Sequence, residues 1–214
     1  VTDTESKPTR RTGRPPLTDR ATLLAAAREL GFSDLTVGAV TARVGVKYST
    51  FYRHFPSLDA LVAALVDDVV TDDVFPATEG RWQEELLAFA TAIFDVMTAH
   101  PGLAHALVRL PDAPEALLTA YRRLTDRLLE AGFSAEDAVL GAGTAMHLGM
   151  QPWLSSDGET AGDLRRRDQV LAAAQPFDPR VRTVLREQVD DPPRSWTLRR
   201  VELVVAGLEA RLHA

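Results

Sequence analysis

Residues 35–65 constrain the fold of this chain more than any other stretch. Thr36 is a hydroxyl residue placed to accept a free backbone N–H at a helix start, and Val37, Val40 and Val44 then recur at helical spacing. Gly45 stops that helix, because glycine enters the left-handed conformation that a tight helix exit requires. A second helix, Lys47 to His54, exposes Lys47, Tyr48, Ser49 and Thr50 at its beginning. Pro56-Ser57 interrupts it, and Leu58, Leu61, Val62, Leu65, Val66 and Val69 repeat at three and four as the buried face of a further helix. Two short helices joined at a glycine, the second opening on hydrogen-bond donors, make a helix-turn-helix. Its second helix is the kind that meets base edges in the major groove.

The run Val46-Lys47-Tyr48-Ser49-Thr50-Phe51-Tyr52-Arg53-His54-Phe55-Pro56-Ser57-Leu58-Asp59-Ala60-Leu61 resembles the DNA-binding signature of TetR-family transcriptional regulators. In that family a Thr-(Leu or Phe)-Tyr-x-His-Phe run closes the recognition helix, and Ser-Lys-(Glu or Asp)-x-Leu opens the next. The likeness covers residues 17–70 and, more weakly, the last helix. Lys47 and Tyr48 stand where the family often has Ser or Thr and then Lys, so the base-reading face is individual. Leu58 replaces a common Lys and takes away one expected phosphate contact; the first helix, Leu23 to Leu30, is several residues shorter than usual. The resemblance implies an all-α molecule with an N-terminal three-helix helix-turn-helix domain and a C-terminal helical bundle for ligand binding and dimerisation. It further implies a repressor that a small apolar or aromatic ligand releases from its operator. On this reading Lys47, Tyr48, Ser49 and Thr50 lie at or beside base edges. Thr36, Tyr52 and His54 hold phosphates, which fixes register without reading sequence, and Phe51 and Phe55 point back into the core.

Charge bears on the same reading. The net charge of -6 would argue against nucleic acid if it were spread evenly. Through Pro56, however, nine basic residues face five acidic ones, a net of +4, and the remainder carries 15 basic against 25 acidic, or −10. A basic end on an acidic body orients a molecule towards a phosphate backbone. Residues 1–16 lack periodicity and read as a flexible basic arm, in which Arg11 and Arg14 are the candidate DNA contacts. Arg14 precedes Pro15-Pro16, and an arginine followed by a rigid extended proline suits a narrow minor groove. A solubilising tail is the plain alternative.

The expected organisation is the arm, a DNA-binding domain over 17–56, a connecting helix over 57–75 and a ligand-binding and dimerisation domain over 76–214. After Pro76 the pattern is helical, without alternating strands. Leu86, Ala90, Ile93 and Met97 define one helix, and a short one runs to Leu110. Leu117, Tyr121, Leu124 and Leu128 define the next, Ser134 caps a helix over 135–152, and Ser195 precedes a closing stripe of Leu198, Val201, Val205, Leu208 and Leu212. Residues 154–194 give a loop and two further helices, around 160–174 and 179–189. The crowded Asp67, Asp68, Asp72 and Asp73 read as a solvated face.

Other chemistry finds little support. The absence of cysteine removes disulfides and thiolate sites. His100, His105 and His147 lack ligand spacing, so no metal is expected. Gly141-Ala142-Gly143 lies inside a helix rather than after a strand, which favours close helix packing over a phosphate loop. No cofactor or catalytic residue is expected. No apolar run approaches a membrane span and no charged-then-apolar leader is recognised, so a cytoplasmic protein, nucleoid-associated when bound to DNA, is expected.

Phe94, Met97, Tyr121 and Met146 are the candidate ligand contacts, since Met and aromatics adapt to varied apolar molecules; core packing is their ordinary role. Two-fold dimers double a small DNA contact, and the closing stripe exceeds what an end helix needs to cover its own body. The candidate homodimer interface is therefore Met146, Met150, Val201, Val205, Leu208 and Leu212, a four-helix contact that includes the helix over 135–152. Two rivals remain: a DNA-binding activator or constitutive regulator without an inducer, and a helical small-molecule-binding protein or enzyme.

Overall fold

The computed structural model describes residues 18–75, 80–154 and 168–212; among these every regular element is helical. Arg11 and Arg14 lie outside them. Helix α1 (Arg20–Leu30) starts three residues before the expected Leu23 because Asp19 caps it, accepting the Thr22 N–H at 2.8 Å. The Thr22 hydroxyl, and then its N–H, hold the Asp19 carboxyl below its ordinary pKa. Helix α2 (Val37–Val44) starts at Thr36, whose hydroxyl oxygen accepts the Ala39 N–H at 3.0 Å, and ends at Gly45 with φ 74. Helix α3 is shorter than expected, Tyr48–Phe51, with Lys47 as its uncapped N-terminal neighbour. The Phe51 carbonyl then accepts both the His54 and the Phe55 N–H, and this tightened turn finishes the element before Pro56. Ser57 caps α4 (Leu58–Val69) through the Ala60 N–H, and a single 3₁₀ turn follows (Asp72–Val74).

The rest is α5 (Trp82–Ala99), α6 (Leu103–Leu107), α7 (Glu115–Glu130), α8 (Ala135–Leu154), α9 (Pro179–Asp190) and α10 (Pro193–Leu212), with a further helical segment over 168–173. Helix α10 begins at Pro193 rather than after Ser195, since proline fits a first position whose N–H would be unpaired anyway. Helix α5 packs against α7, α8 and α10.

Buried apolar side chains form two clusters. Leu23, Ala27, Val40, Phe51 and Phe55 make the head cluster together with Leu61 and Leu65 of α4. Val66 of the same helix belongs to the body cluster, with Leu86, Ile93, Leu124 and Val201. Head and body also touch outside α4. Gly102, at φ 87 between α5 and α6, lies so close to the turn after α1 that a Cβ there would stand 2.9 Å from the Ser33 nitrogen. The Phe32 ring meets His100 edge-on, 6.5 Å between centroids. Arg28 donates to both oxygens of Asp68 at 2.7 and 2.6 Å, so one of the acids expected on a solvated face instead ties α1 to α4. Below, the buried Glu85 carboxylate accepts from Arg123 at 2.8 Å, while Arg123 and Arg127 also donate to the carbonyls of Phe75 and Gly80.

Small residues let the body helices close up. A Cβ on Gly149 of α8 would stand 2.9 Å from both the Ala90 carbonyl oxygen and the Ile93 Cγ2 of α5. The backbone oxygen cannot swing aside as a side chain would. Gly149→Ala is expected to lower stability by about 1–3 kcal/mol through overpacking, despite alanine's better helix propensity. Urea unfolding reads it directly; an unchanged midpoint would mean that α5 and α8 have slack at this crossing.

Candidate nucleic-acid interface

The helix-turn-helix is held by two phenylalanines. Phe51 and Phe55 are completely buried, their rings 5.9 Å apart, and the Arg20 guanidinium sits 4.0 Å above the Phe55 ring. Arg20 also donates to the His54 carbonyl at 3.1 Å, which pins the end of α3 to the start of α1. The turn itself closes through the Gly45 N–H on Ala42 and the Val46 N–H on Thr41.

With one side of α3 anchored, the other is presented to solvent. Lys47 and Ser49 are exposed, and Tyr48 keeps 57% of its surface accessible. Tyr52 follows Tyr48 by one helical turn and is 53% exposed, its ring edge-on to Phe51. Thr36 is exposed at the start of α2, close to the Tyr48 hydroxyl: both oxygens lie within 4 Å of where a Gly38 Cβ would be. Thr50 is half-buried and its hydroxyl accepts from Arg53 at 3.3 Å. His54 is half-buried too. Thr36, Tyr48 and Tyr52 thus share a surface with Lys47 and Ser49, whereas Thr50 and His54 sit at its margin.

Pairing decides which basic residues remain for a phosphate backbone. Arg28 is committed to Asp68 and Arg43 to Glu29. Arg20, Lys47 and Arg53 carry no carboxylate partner among the described residues. A count of charges along the chain therefore overstates the free positive charge of the folded head. The part Arg20 plays in holding α3 is not legible in the sequence, because nothing near it shows that it will reach His54 and Phe55.

The candidate ligand residues do not converge. A small apolar cavity of about 10 Å³ lies between Val70, Phe75, Ile93, Met97, Leu107 and Leu117. Of the four candidates only Met97 lines it. Phe94 is buried against the Trp153 ring, and Met146 is a half-buried flank of the body core. Tyr121 donates its hydroxyl to the Val139 carbonyl at 3.2 Å.

The candidate interface residues are largely covered by their own chain. Met150, Val201 and Leu208 are buried in the core of their own chain, and Met146, Val205 and Leu212 pack on its edge. The stripe of α10 covers its own body because α5 and α8 lie directly under it. Leu208 fits against Gly141, where an added Cβ would stand 2.9 Å from its Cδ1. On these two helices the large apolar side chains left exposed are Val139 and Leu140 of α8 and Leu203 of α10, the last 73% exposed.

Among the described residues no group of three or more His, Asp or Glu side chains is placed to hold a metal ion, and no helix is long and apolar enough to cross a membrane. The His147 Nδ1 lies 2.7 Å from the Gly143 carbonyl of its own helix.

Comparison with known proteins converges on the same head. Residues 23–65 match the family described as bacterial regulatory proteins, tetR family, and residues 75–170 match the tetracyclin repressor-like C-terminal domain. The HTH-type transcriptional regulator EthR of Mycolicibacterium smegmatis is 26% identical over 145 residues, 62% of this chain; the chain spans 64% of that relative's length. In fold, the chain is similar to a possible TetR family transcriptional regulator from Streptomyces coelicolor A3(2), with TM-score 0.73 and 23% identity over 90% of this chain and 99% of the other. It is similar also to the TetR family protein ActR of Streptomyces coelicolor in complex with actinorhodin, with TM-score 0.64 and 20% identity over 91% and 98% of the two chains. The α2–α3 geometry and both matched regions together place this chain in the TetR family of DNA-binding transcriptional regulators.

Proposed function

We propose that this protein is a dimeric repressor of the cytoplasm that grips a palindromic operator with two copies of α3 and lets go when a small apolar or aromatic molecule enters the body. One observation carries the reading: Lys47, Tyr48 and Ser49 stand exposed on a helix whose opposite side is anchored by the buried Phe51 and Phe55. Lys47, Tyr48 and Ser49 face base edges, with Thr50 beside them; Thr36, Tyr52 and His54 meet phosphates, and Arg11 and Arg14 enter the adjacent minor groove.

Dimerisation uses the outward face of α8 and α10. Val139, Leu140 and Leu203 are large apolar side chains exposed on two helices that pack side by side, and a second copy would cover them by a two-fold. The cavity supports the ligand. It is bounded by Val70 and Phe75, directly after α4, so a molecule that widens it must part these residues from α5, α6 and α7. That moves the end of a helix whose other half is built into the head. ActR bound to actinorhodin, and a TetR from Acinetobacter baumannii bound to minocycline, show that proteins of this fold hold such molecules. The small size of the cavity favours a second reading, a DNA-binding regulator without an inducer.

Selection of bound duplexes from a random pool tests the DNA reading, with a palindrome as the expected product. Lys47→Ala and Tyr48→Ala should each cost about 1–3 kcal/mol on that duplex and much less on random DNA. Tyr52→Phe should weaken both alike, because a phosphate contact carries no sequence information. Equal losses on selected and random duplexes for the Lys47 and Tyr48 variants would remove them from the base-reading set.

Val139→Glu combined with Leu203→Glu is expected to yield folded monomers by sedimentation equilibrium, whereas Leu208→Glu should unfold the body by burying an unpaired charge. An intact dimer in the double variant would move the interface elsewhere.

An inducer should raise the melting temperature of the free protein and weaken operator binding, and Leu117→Trp, which fills the cavity, should abolish both effects. If a set of flat apolar compounds produces neither effect on the parent protein, the reading without an inducer prevails.

A further inference from the structure

The second helical position after the cap of α2 carries a glycine that the backbone does not require. Gly38 is absent from the positive-φ glycines and lies in ordinary helix, where glycine is less favourable than alanine. The space that a side chain would take is occupied from outside. A Cβ built on Gly38 would stand 2.7 Å from the Tyr48 hydroxyl oxygen, closer than van der Waals contact allows, and 3.8 Å from both the Tyr48 Cζ and the Thr36 hydroxyl oxygen. The tip of Tyr48 therefore leans over the start of α2 instead of standing straight out from α3. More than half of its surface remains open to solvent, so core packing does not set this posture.

We propose that Gly38 is a specificity-determining positioning residue: its missing side chain lets Tyr48 lie across the start of α2 and so sets the direction from which the phenol meets a base edge. The inference rests on the DNA reading of α3 given above. A phenol hydroxyl both donates and accepts, and hydrogen-bond readout depends on distance and angle, so displacement of the oxygen alters which edge it satisfies. Any side chain at residue 38 would force that displacement. The chain would yield cheaply, because the obstructed atom is the free end of a side chain and not backbone.

The test compares Gly38→Ala in three backgrounds: parent, Tyr48→Phe and Tyr48→Ala. Each protein is melted, used to select duplexes from a random pool, and titrated with the duplex that the parent prefers. In the parent background Gly38→Ala should melt no lower than the parent. It should lose roughly tenfold in affinity for that duplex and change the preferred base at one position of each half-site. In the Tyr48→Phe and Tyr48→Ala backgrounds it should change neither preference nor affinity, because the obstructing oxygen is gone and the Tyr48 Cζ, 3.8 Å away, is in ordinary contact. Unchanged preference and affinity in the parent background would overturn the proposal. So would a change that persists without the Tyr48 hydroxyl, since residue 38 would then act on DNA by itself. A parent protein that selects no duplex is a different failure, which removes the DNA reading of this surface and the positioning role with it.

Discussion

Helix α4 is the constraint on which the rest of the molecule depends, because it belongs to both hydrophobic clusters. Leu61 and Leu65 lie one turn apart and complete the core of the head. Val66 is rotated by about 100° from Leu65 and faces the body, with Val70 following a turn later. A helix buried on two sides by different neighbours cannot shift against one without disturbing the other, since packed cores have few intermediate arrangements. The Arg28–Asp68 pair fastens α4 to α1, and the contact of Gly102 with Ser33 adds a further joint between head and body. Whatever displaces the lower end of α4 therefore has a route to the angle at which α3 is held.

The head shows how polar chemistry narrows what composition allows. Arg20 is held between the Phe55 ring and the His54 carbonyl, Arg28 and Arg43 are neutralised by carboxylates, and among the described residues of the head Lys47 and Arg53 stand near α3 without either commitment. Exposed ion pairs such as Arg43–Glu29 contribute little stability, typically below about 1 kcal/mol, so their main effect here is to offset positive charge on the head. On the proposed reading of α3, a modest local field leaves more of the discrimination to Tyr48 and Ser49, whose uncharged contacts would carry the sequence information.

Local chemistry was legible from the residues alone. Thr36, Gly45, Ser57 and Ser134 announce helix ends because a cap is made by groups within three residues of the backbone they satisfy. The same reasoning erred by a few residues where another rule intervened: Asp19 started α1 early, and the approach to Pro56 tightened the end of α3. The partners of an apolar stripe were not legible. Leu198, Val201, Val205, Leu208 and Leu212 have helical spacing whether they meet α5 and α8 of their own chain or a second copy, and periodicity names the face without naming what covers it. Leu203, an apolar residue off the stripe, is left 73% exposed. The surroundings of the candidate ligand residues were hidden for a related reason. Phe94, Tyr121 and Met146 each satisfy helical spacing, but their surroundings are set by contacts far along the chain: Trp153 for Phe94 and the Val139 carbonyl for Tyr121.

The buried Glu85 gives the proposed ligand response its mechanical footing. Its carboxylate holds Arg123, which also donates to the Phe75 carbonyl, so the segment after α4 is fastened to α5 and α7 by one charged network. Phe75 also forms a wall of the cavity. A molecule that pushes Phe75 outward works against the Arg123 hydrogen bond to its carbonyl as well as against apolar packing. On the proposed ligand reading, the alternatives would be one arrangement with Phe75 seated and another with it displaced. Two such states, joined to the head through α4, are what a ligand needs: it shifts their populations only by as much as it binds one more tightly than the other, and a coupling of roughly 1–3 kcal/mol already changes DNA affinity five- to 150-fold.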